Sequence, residues 1–397
     1  MTPLSRLRLR CSLYFTGGGI GIGAWAASLP LISLHMGLDK GELGLILLFF
    51  AAGAIALMIT TGRLLDRIAD PTLLSFLGSI LFGASIALAS FVQSTFVLTV
   101  CVFMAGAGFG TLDVSMNTEA SSVETVARRH LMSSFHALFS LGNLIGAVFV
   151  GLVVSYGGTV LHCLFGAGTL VCVACVTARG LSSTDIVLPR KDSVSAGLDS
   201  VSDSRDQRAI LLLLGVVAFF AFLAEGGMMD WTSVYMVSHL AAPENIAAYG
   251  FAVFAAAMTC GRFLGDSVVT LVGHYRVLLL GSIFCAFAVL GILSASNTTT
   301  VLVSLAFCGL GLANMIPAVF ASAGNAGGRS KGQAMATVTT MGYSGLLLGP
   351  AVLGFIAQAS SLWVSFIVIM VAFIAVGVLS YIWHRYSAHL RACSKKG

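Results

Sequence analysis

Gly62-Arg63-Leu64-Leu65-Asp66-Arg67-Ile68-Ala69-Asp70 lies between two long apolar runs and packs four charges into nine residues. A shortened relative, Gly261-Arg262-Phe263-Leu264-Gly265-Asp266, begins 199 positions later, again with an apolar run on either side. These two charged elbows mark an internal repeat. Leu-Gly-Ser-Ile at 77–80 recurs at 280–283, Gly106 and Gly108 recur as Gly309 and Gly311, and Gly142 and Gly146 as Gly345 and Gly349, each 203 positions on. Three separated landmarks at one offset imply tandem copies of one half, with four extra residues after the second elbow. A repeat this long is a duplication and not a solenoid.

Hydrophobic residues make up 57% of the chain, charged residues 9%, and the mean hydropathy is +0.97. A soluble domain carries about 25% charged residues, so this surface faces something other than water. Apolar runs of about 20 residues recur, each long enough to cross the hydrocarbon core as a helix, the open-chain element that satisfies its own backbone in lipid. The reading is an all-α membrane protein with twelve transmembrane helices. The spans are 11–36, 42–62, 72–92, 96–118, 132–155, 160–179, 209–238, 246–264, 276–295, 299–322, 332–358 and 362–384. Six precede residue 180 and six follow residue 208, which gives two six-helix halves, 1–180 and 209–397, joined by a hydrophilic linker at 181–208. Seven of the linker's 28 residues are Ser and nine are charged, a flexible composition.

With both termini inside, 20 of the 21 Lys and Arg fall on the inner side, and Lys40 is the exception. That bias is the positive-inside rule. It accounts for the net charge of +5 without a nucleic-acid partner. The first apolar run is too long for a cleaved signal. Nine cysteines are scattered, mostly within spans, and the Cys172/Cys175 pair reads as helix packing. No cofactor or metal pattern emerges.

Several intramembrane groups stand out. Span 1 holds Gly17-Gly18-Gly19-Ile20-Gly21-Ile22-Gly23, whose glycines four apart let helices approach closely, and Trp25 near mid-span. Span 4 places Asp113 and Asn117 four apart on one helix face. An acid there needs pairing or water, and Arg63 or Arg67 is the expected partner; snorkelling to cytoplasmic water stands beside that reading. Glu119, Glu124, Arg128, Arg129 and His130 read as a solvated inner loop. His136 opens span 5 as a hydrogen-bonded structural histidine, with Asn143 near mid-span. Span 7 carries Glu225-Gly226-Gly227-Met228-Met229-Asp230-Trp231. Glu225 is placed near the bilayer centre, where acids mark ion or substrate paths. Asp230 lies about 7.5 Å further out, and Trp231 follows it. Asn314, Pro317 and Tyr343 complete the polar or helix-bending positions at depth.

The whole chain is similar to the major facilitator superfamily. The first elbow resembles that family's loop motif in Gly62, Asp66 and Arg67, and departs from it at Ala69 and Asp70. Gly110 to Asn117, Ser133 to His136 and Glu225 to Trp231 resemble a bacterial inner-membrane branch distantly related to the fucose permeases. The resemblance implies a secondary active transporter of a small polar solute, sugar-like or organic. It would work by alternating access, with two halves rocking about a site near the midplane, as a monomer in the inner membrane and coupled to protons.

Glu225, Asp230, Trp231, Trp25, Asn143, Asn314 and Tyr343 are the expected substrate or proton positions. Gly62, Arg63, Asp66, Arg67, Asp113, Asn117, Arg262 and Asp266 are the expected cytoplasmic gate. In the gate, Asp66 would meet the positive end of a neighbouring helix. The latch is expected to be stronger in the first half, because the position matching Asp113 is Ile316. The rival readings are efflux of an apolar drug, a membrane enzyme, for which no nucleophile motif or metal-spaced His cluster exists, and a receptor on a transporter fold.

Overall fold

The computed structural model describes residues 2–38, 40–68, 70–181, 204–242, 244–327 and 331–394. Most of the expected linker lies outside these residues. Among the described residues the chain is helical without a strand. The helices are α1 (Pro3–Met36), α2 (Lys40–Ile68), α3 (Pro71–Ala89), α4 (Thr95–Ala127), α5 (Met132–Ser155) and α6 (Val160–Gly180). They continue with α7 (Ser204–Leu240), α8 (Glu244–Val272), α9 (His274–Leu293), α10 (Thr298–Leu312), α11 (Met315–Ala326), α12 (Lys331–Ala359) and α13 (Leu362–Ser394). Eleven segments among the described residues are long and apolar enough to cross a membrane; α10 and α11 together make one of them, and α1 is not among the eleven.

The helices form two compact units. Unit 1 comprises Met1–Leu131, Phe135–Val194 and Arg329–Ala336, and unit 2 comprises Met132–Ser134, Ser195–Gly328 and Thr337–Gly397. The repeat glycines show why each unit packs as it does. Gly142 lies against the Thr16 backbone of α1, and Gly345 against the Phe219 backbone of α7. Gly146 meets Ile20, and Gly349 meets Leu223. Gly78 packs on the Gly108 carbonyl, and Gly281 on that of Gly311. Each second contact repeats the first 203 positions on. A methyl group at these sites would collide with backbone, so the glycines set how closely the helices approach.

Three of the differences from the sequence reading bear on the candidate residues. First, α4 continues to Ala127, well past 118. Hydropathy falls after Asn117, but no Gly or Pro interrupts the helix, and Thr118, Glu119, Ser121 and Ser122 are buried. Arg128, in the left-handed conformation at φ 51°, ends it. Glu119 and Glu124 are therefore helical and not part of a solvated loop. Second, α8 runs on to Val272 and stops at Gly273, whose φ of +82° suits glycine. Arg262 and Asp266 thus lie inside a helix, not at its elbow. Third, span 10 is broken at Ala313–Asn314 into α10 and α11. Pro317 in the first turn of α11 has no N–H, so the ladder cannot pass through the break unaltered.

Candidate functional site

Two polar groups lie in unit 1. The first is an ion pair that the sequence reading missed. Arg10 Nε of α1 donates to Glu119 Oε1 of α4 at 2.7 Å, and the two residues are 4% and 0% exposed. Tyr14, one turn after Arg10 on α1, is also buried. Arg10 is visible in the sequence as a charge at the edge of the first apolar run. Its partner, 109 residues away, carries no sequence signal.

The second group contains Asp113. Asn117 Nδ2 donates to Asp113 Oδ1 at 3.3 Å and to the Asp113 carbonyl at 2.9 Å. Asn117 Oδ1 lies 3.2 Å from His136 Nε2. All three side chains are buried. Phe15 stacks on Phe135 at 5.5 Å and meets the His136 ring edge-on at 5.3 Å. Arg63 and Arg67 are exposed near the end of α2. The Thr61 hydroxyl donates to that of Thr111 at 3.3 Å, so Arg63 and Asp113, each two residues further along its helix, lie at a similar level. Gly62 allows α2 to pack closely on the first turn of α12, where a side chain would strike Ala336 and Gly332.

Unit 2 brings Glu225 together with Arg262, which the sequence reading had assigned to separate roles. Arg262 Nη2 stands 3.5 Å from Glu225 Oε1. Glu225 is 8% exposed, and its Oε2 accepts no hydrogen bond from any described residue. Charge-assisted N–H···O contacts are ordinarily about 2.7–2.9 Å, so this carboxylate is loosely held. Asp266, one turn beyond Arg262, caps α5. Its Oδ1 accepts from the backbone N–H of Ser133 at 3.0 Å, its Oδ2 from that of Ser134 at 3.2 Å, and the Ser134 hydroxyl also donates to it. An acid is favoured at a helix N-terminus, where N–H groups lack intrahelical partners. Gly265 makes room, since a side chain there would strike Asn314 and Ser133.

The remaining candidates are dispersed. Tyr343 of α12 stacks on Phe222 of α7 at 5.1 Å. Asn314 is buried at the α10–α11 break and donates to the Gly261 carbonyl at 2.8 Å. The Trp231 ring packs over Gly354, whereas Asp230 is exposed. Trp25 is buried in α1, and the half-buried Asn143 presents its backbone to Gly23.

The model of the Major Facilitator Superfamily matches residues 12–296 and 214–395. An uncharacterized MFS-type transporter of Yersinia pestis is 32% identical over 357 residues, covering 89% of this chain and 90% of that protein. The membrane protein MosC of Rhizobium meliloti is 27% identical over 361 residues, covering 91% and 85%. Among solved structures, the fucose:proton symporter FucP of E. coli superposes with a TM-score of 0.79 at 17% identity, covering 96% of this chain and 99% of that one. The proton:xylose symporter XylE gives a TM-score of 0.76 at 12% identity, with 95% of each chain covered. These two similarities concern the fold. With the family model covering both copies of the repeat, and a relative 32% identical across 89% of its length, the chain belongs to the Major Facilitator Superfamily.

Proposed function

We propose that this chain is a proton-coupled secondary transporter that moves a small polar solute, sugar-like or organic, across the inner membrane by alternating access. It acts as a monomer, with twelve spans in two six-helix halves, 1–180 and 209–397, and both termini inside. The family consists of transporters and not enzymes. One observation carries the proton coupling: a buried intramembrane carboxylate, Glu225, whose ionic partner among the described residues is a long contact and whose second oxygen accepts from no described residue. Such a group is expensive in lipid unless it has a use. Fold neighbours that are proton-coupled sugar symporters support the same reading. The test is flux in proteoliposomes, after a thermal-shift screen of purified protein against sugars, organic acids and amines. Solute binding without flux would favour a receptor.

We assign Asp113, Asn117 and His136 to the polar contacts for the solute. Their side chains are already linked and buried, and a solute hydroxyl or amine can enter such a chain without leaving a polar group unpaired. Asp113→Asn and His136→Ala are expected to remove the solute-induced rise in melting temperature. Arg63→Ala, altered at an exposed site, is expected to keep it. Equal loss in all three variants would reject this assignment.

The gate comprises Gly62, Arg63, Asp66, Arg67, Asp113, Asn117, Arg262 and Asp266, with Asp113 and Asn117 also reached by the solute. Ile316 weights it toward the first half, and the cap at Asp266 adds an element in the second. Asp266→Ala removes the acceptor for the N–H groups of Ser133 and Ser134. The cytoplasmic ends of α5 and α8 should then spend more time apart. Spin-label distances between those ends check this, and an unchanged distribution would remove Asp266 from the gate.

A further inference from the structure

Unit 1 holds a second set of buried polar atoms, beside the chain from Asp113 to His136, that its own helices leave unsatisfied. Arg10 meets Glu119 through Nε, which leaves both terminal amino groups of the guanidinium without an acceptor among the described residues. Glu119 is fully buried, and its Oε2 accepts from no described residue. The Tyr14 hydroxyl, one turn along α1 from Arg10, is buried and has no hydrogen-bond partner among the described residues. The ionisable groups that act on this hydroxyl are Glu119, Cys175, Arg10 and Arg179. Two of them are engaged elsewhere: the Cys175 thiol donates to the Phe76 carbonyl at 3.4 Å, and the Arg179 guanidinium lies over the Phe76 ring at 5.9 Å. Phe15, about 100° further round α1, meets His136 instead. The set is therefore distinct from the proposed solute contacts.

Helix packing does not demand these ions. In the second copy, 203 positions on, Leu213, Val217 and Ser322 stand where Arg10, Tyr14 and Glu119 stand in the first. There α11 packs on α7, Val217 is buried, and the Ser322 hydroxyl donates to the Ala318 carbonyl at 2.7 Å. The duplicated fold thus builds this junction once with charge and once without. We propose that Arg10, Tyr14 and Glu119 form a binding site for one internal water molecule, which donates to Glu119 Oε2 and joins it to the Tyr14 hydroxyl. The donor set selects the ligand. It must donate to a carboxylate oxygen and also accept from a guanidinium or a phenol, which a bare cation or anion cannot do. Burial selects the size. The three residues are 4% exposed or less, and a buried water ordinarily makes about three hydrogen bonds to such groups. A single water satisfies the oxygen but not its charge, so Glu119 still needs Arg10. The site does not depend on the transport reading.

Radiolytic labelling of the full chain in detergent tests the water directly. Short X-ray pulses make hydroxyl radicals from water in place, and mass spectrometry reads which side chains they oxidise. Tyr14 should be oxidised about tenfold faster than Phe82, which is equally buried, among Phe50 and Phe109. Labelling of Tyr14 no faster than Phe82 would overturn the proposal, including the case in which Tyr14 touches Glu119 directly. A melting cycle tests the link to the ion pair. Tyr14→Phe removes only the hydroxyl. Loss of a hydrogen-bonded group should lower the melting temperature by about 2–4 °C, whereas loss of an unsatisfied one would leave it unchanged or raise it, which would count against the site. With Arg10→Met and Glu119→Leu in place, Tyr14→Phe should no longer lower melting, and Tyr14 labelling should fall to the rate of Phe82. An equal drop in both backgrounds would detach Tyr14 from the pair. If the Arg10→Met/Glu119→Leu protein is not recovered, labelling of the parent and the sign of the Tyr14→Phe shift decide between the same outcomes.

Discussion

Replacing Arg10 by alanine is expected to prevent recovery of folded protein from membranes. Glu119 is fully buried, and its one hydrogen bond among the described residues is the 2.7 Å contact from Arg10. Without the guanidinium, the carboxylate stays in the interior of unit 1 with no compensating charge. Breaking a buried pair in this one-sided way costs about 3–5 kcal/mol, a large share of the roughly 5–15 kcal/mol that holds a typical domain folded. The pair itself is a weak source of stability, because forming it requires desolvating both ions. Arg10→Met combined with Glu119→Leu should therefore restore a monodisperse protein with near-parental melting. A single Arg10→Ala variant that melts with the parent would mean that Glu119 reaches water or another cation, and the buried pair would lose its structural importance.

Glu225→Gln should abolish accumulation driven by a pH gradient while leaving solute exchange in place. One proton per solute lets a one-unit gradient hold about a tenfold solute gradient; the glutamine variant should hold none. Glutamine keeps the size of the side chain and an oxygen facing Arg262, but it cannot take up or release a proton in the cycle. Exchange needs only the solute site and the conformational change, so it should continue. Full pH-driven accumulation in the variant would reject Glu225 as the proton carrier. Loss of both accumulation and exchange would instead place it in solute binding or folding.

The membrane class and the duplication were legible in the sequence. These properties follow from one-dimensional quantities: apolar run length and the 203-position offset. The repeat glycines kept their meaning in three dimensions, because closely packed helices tolerate no side chain at those contacts. Helix ends were less legible. Hydropathy reports where lipid stops, and α4 continues beyond that point on buried Thr, Glu and Ser.

Tertiary structure decided the partners. Arg10 and Glu119, Asn117 and His136, and Glu225 and Arg262 meet across 109, 19 and 37 positions. Whether such residues touch depends on the rotation and relative shift of separate helices. Those are fixed by packing contacts such as Gly23 on Asn143 and Gly261 on Ala313, and no periodicity within a single segment encodes them.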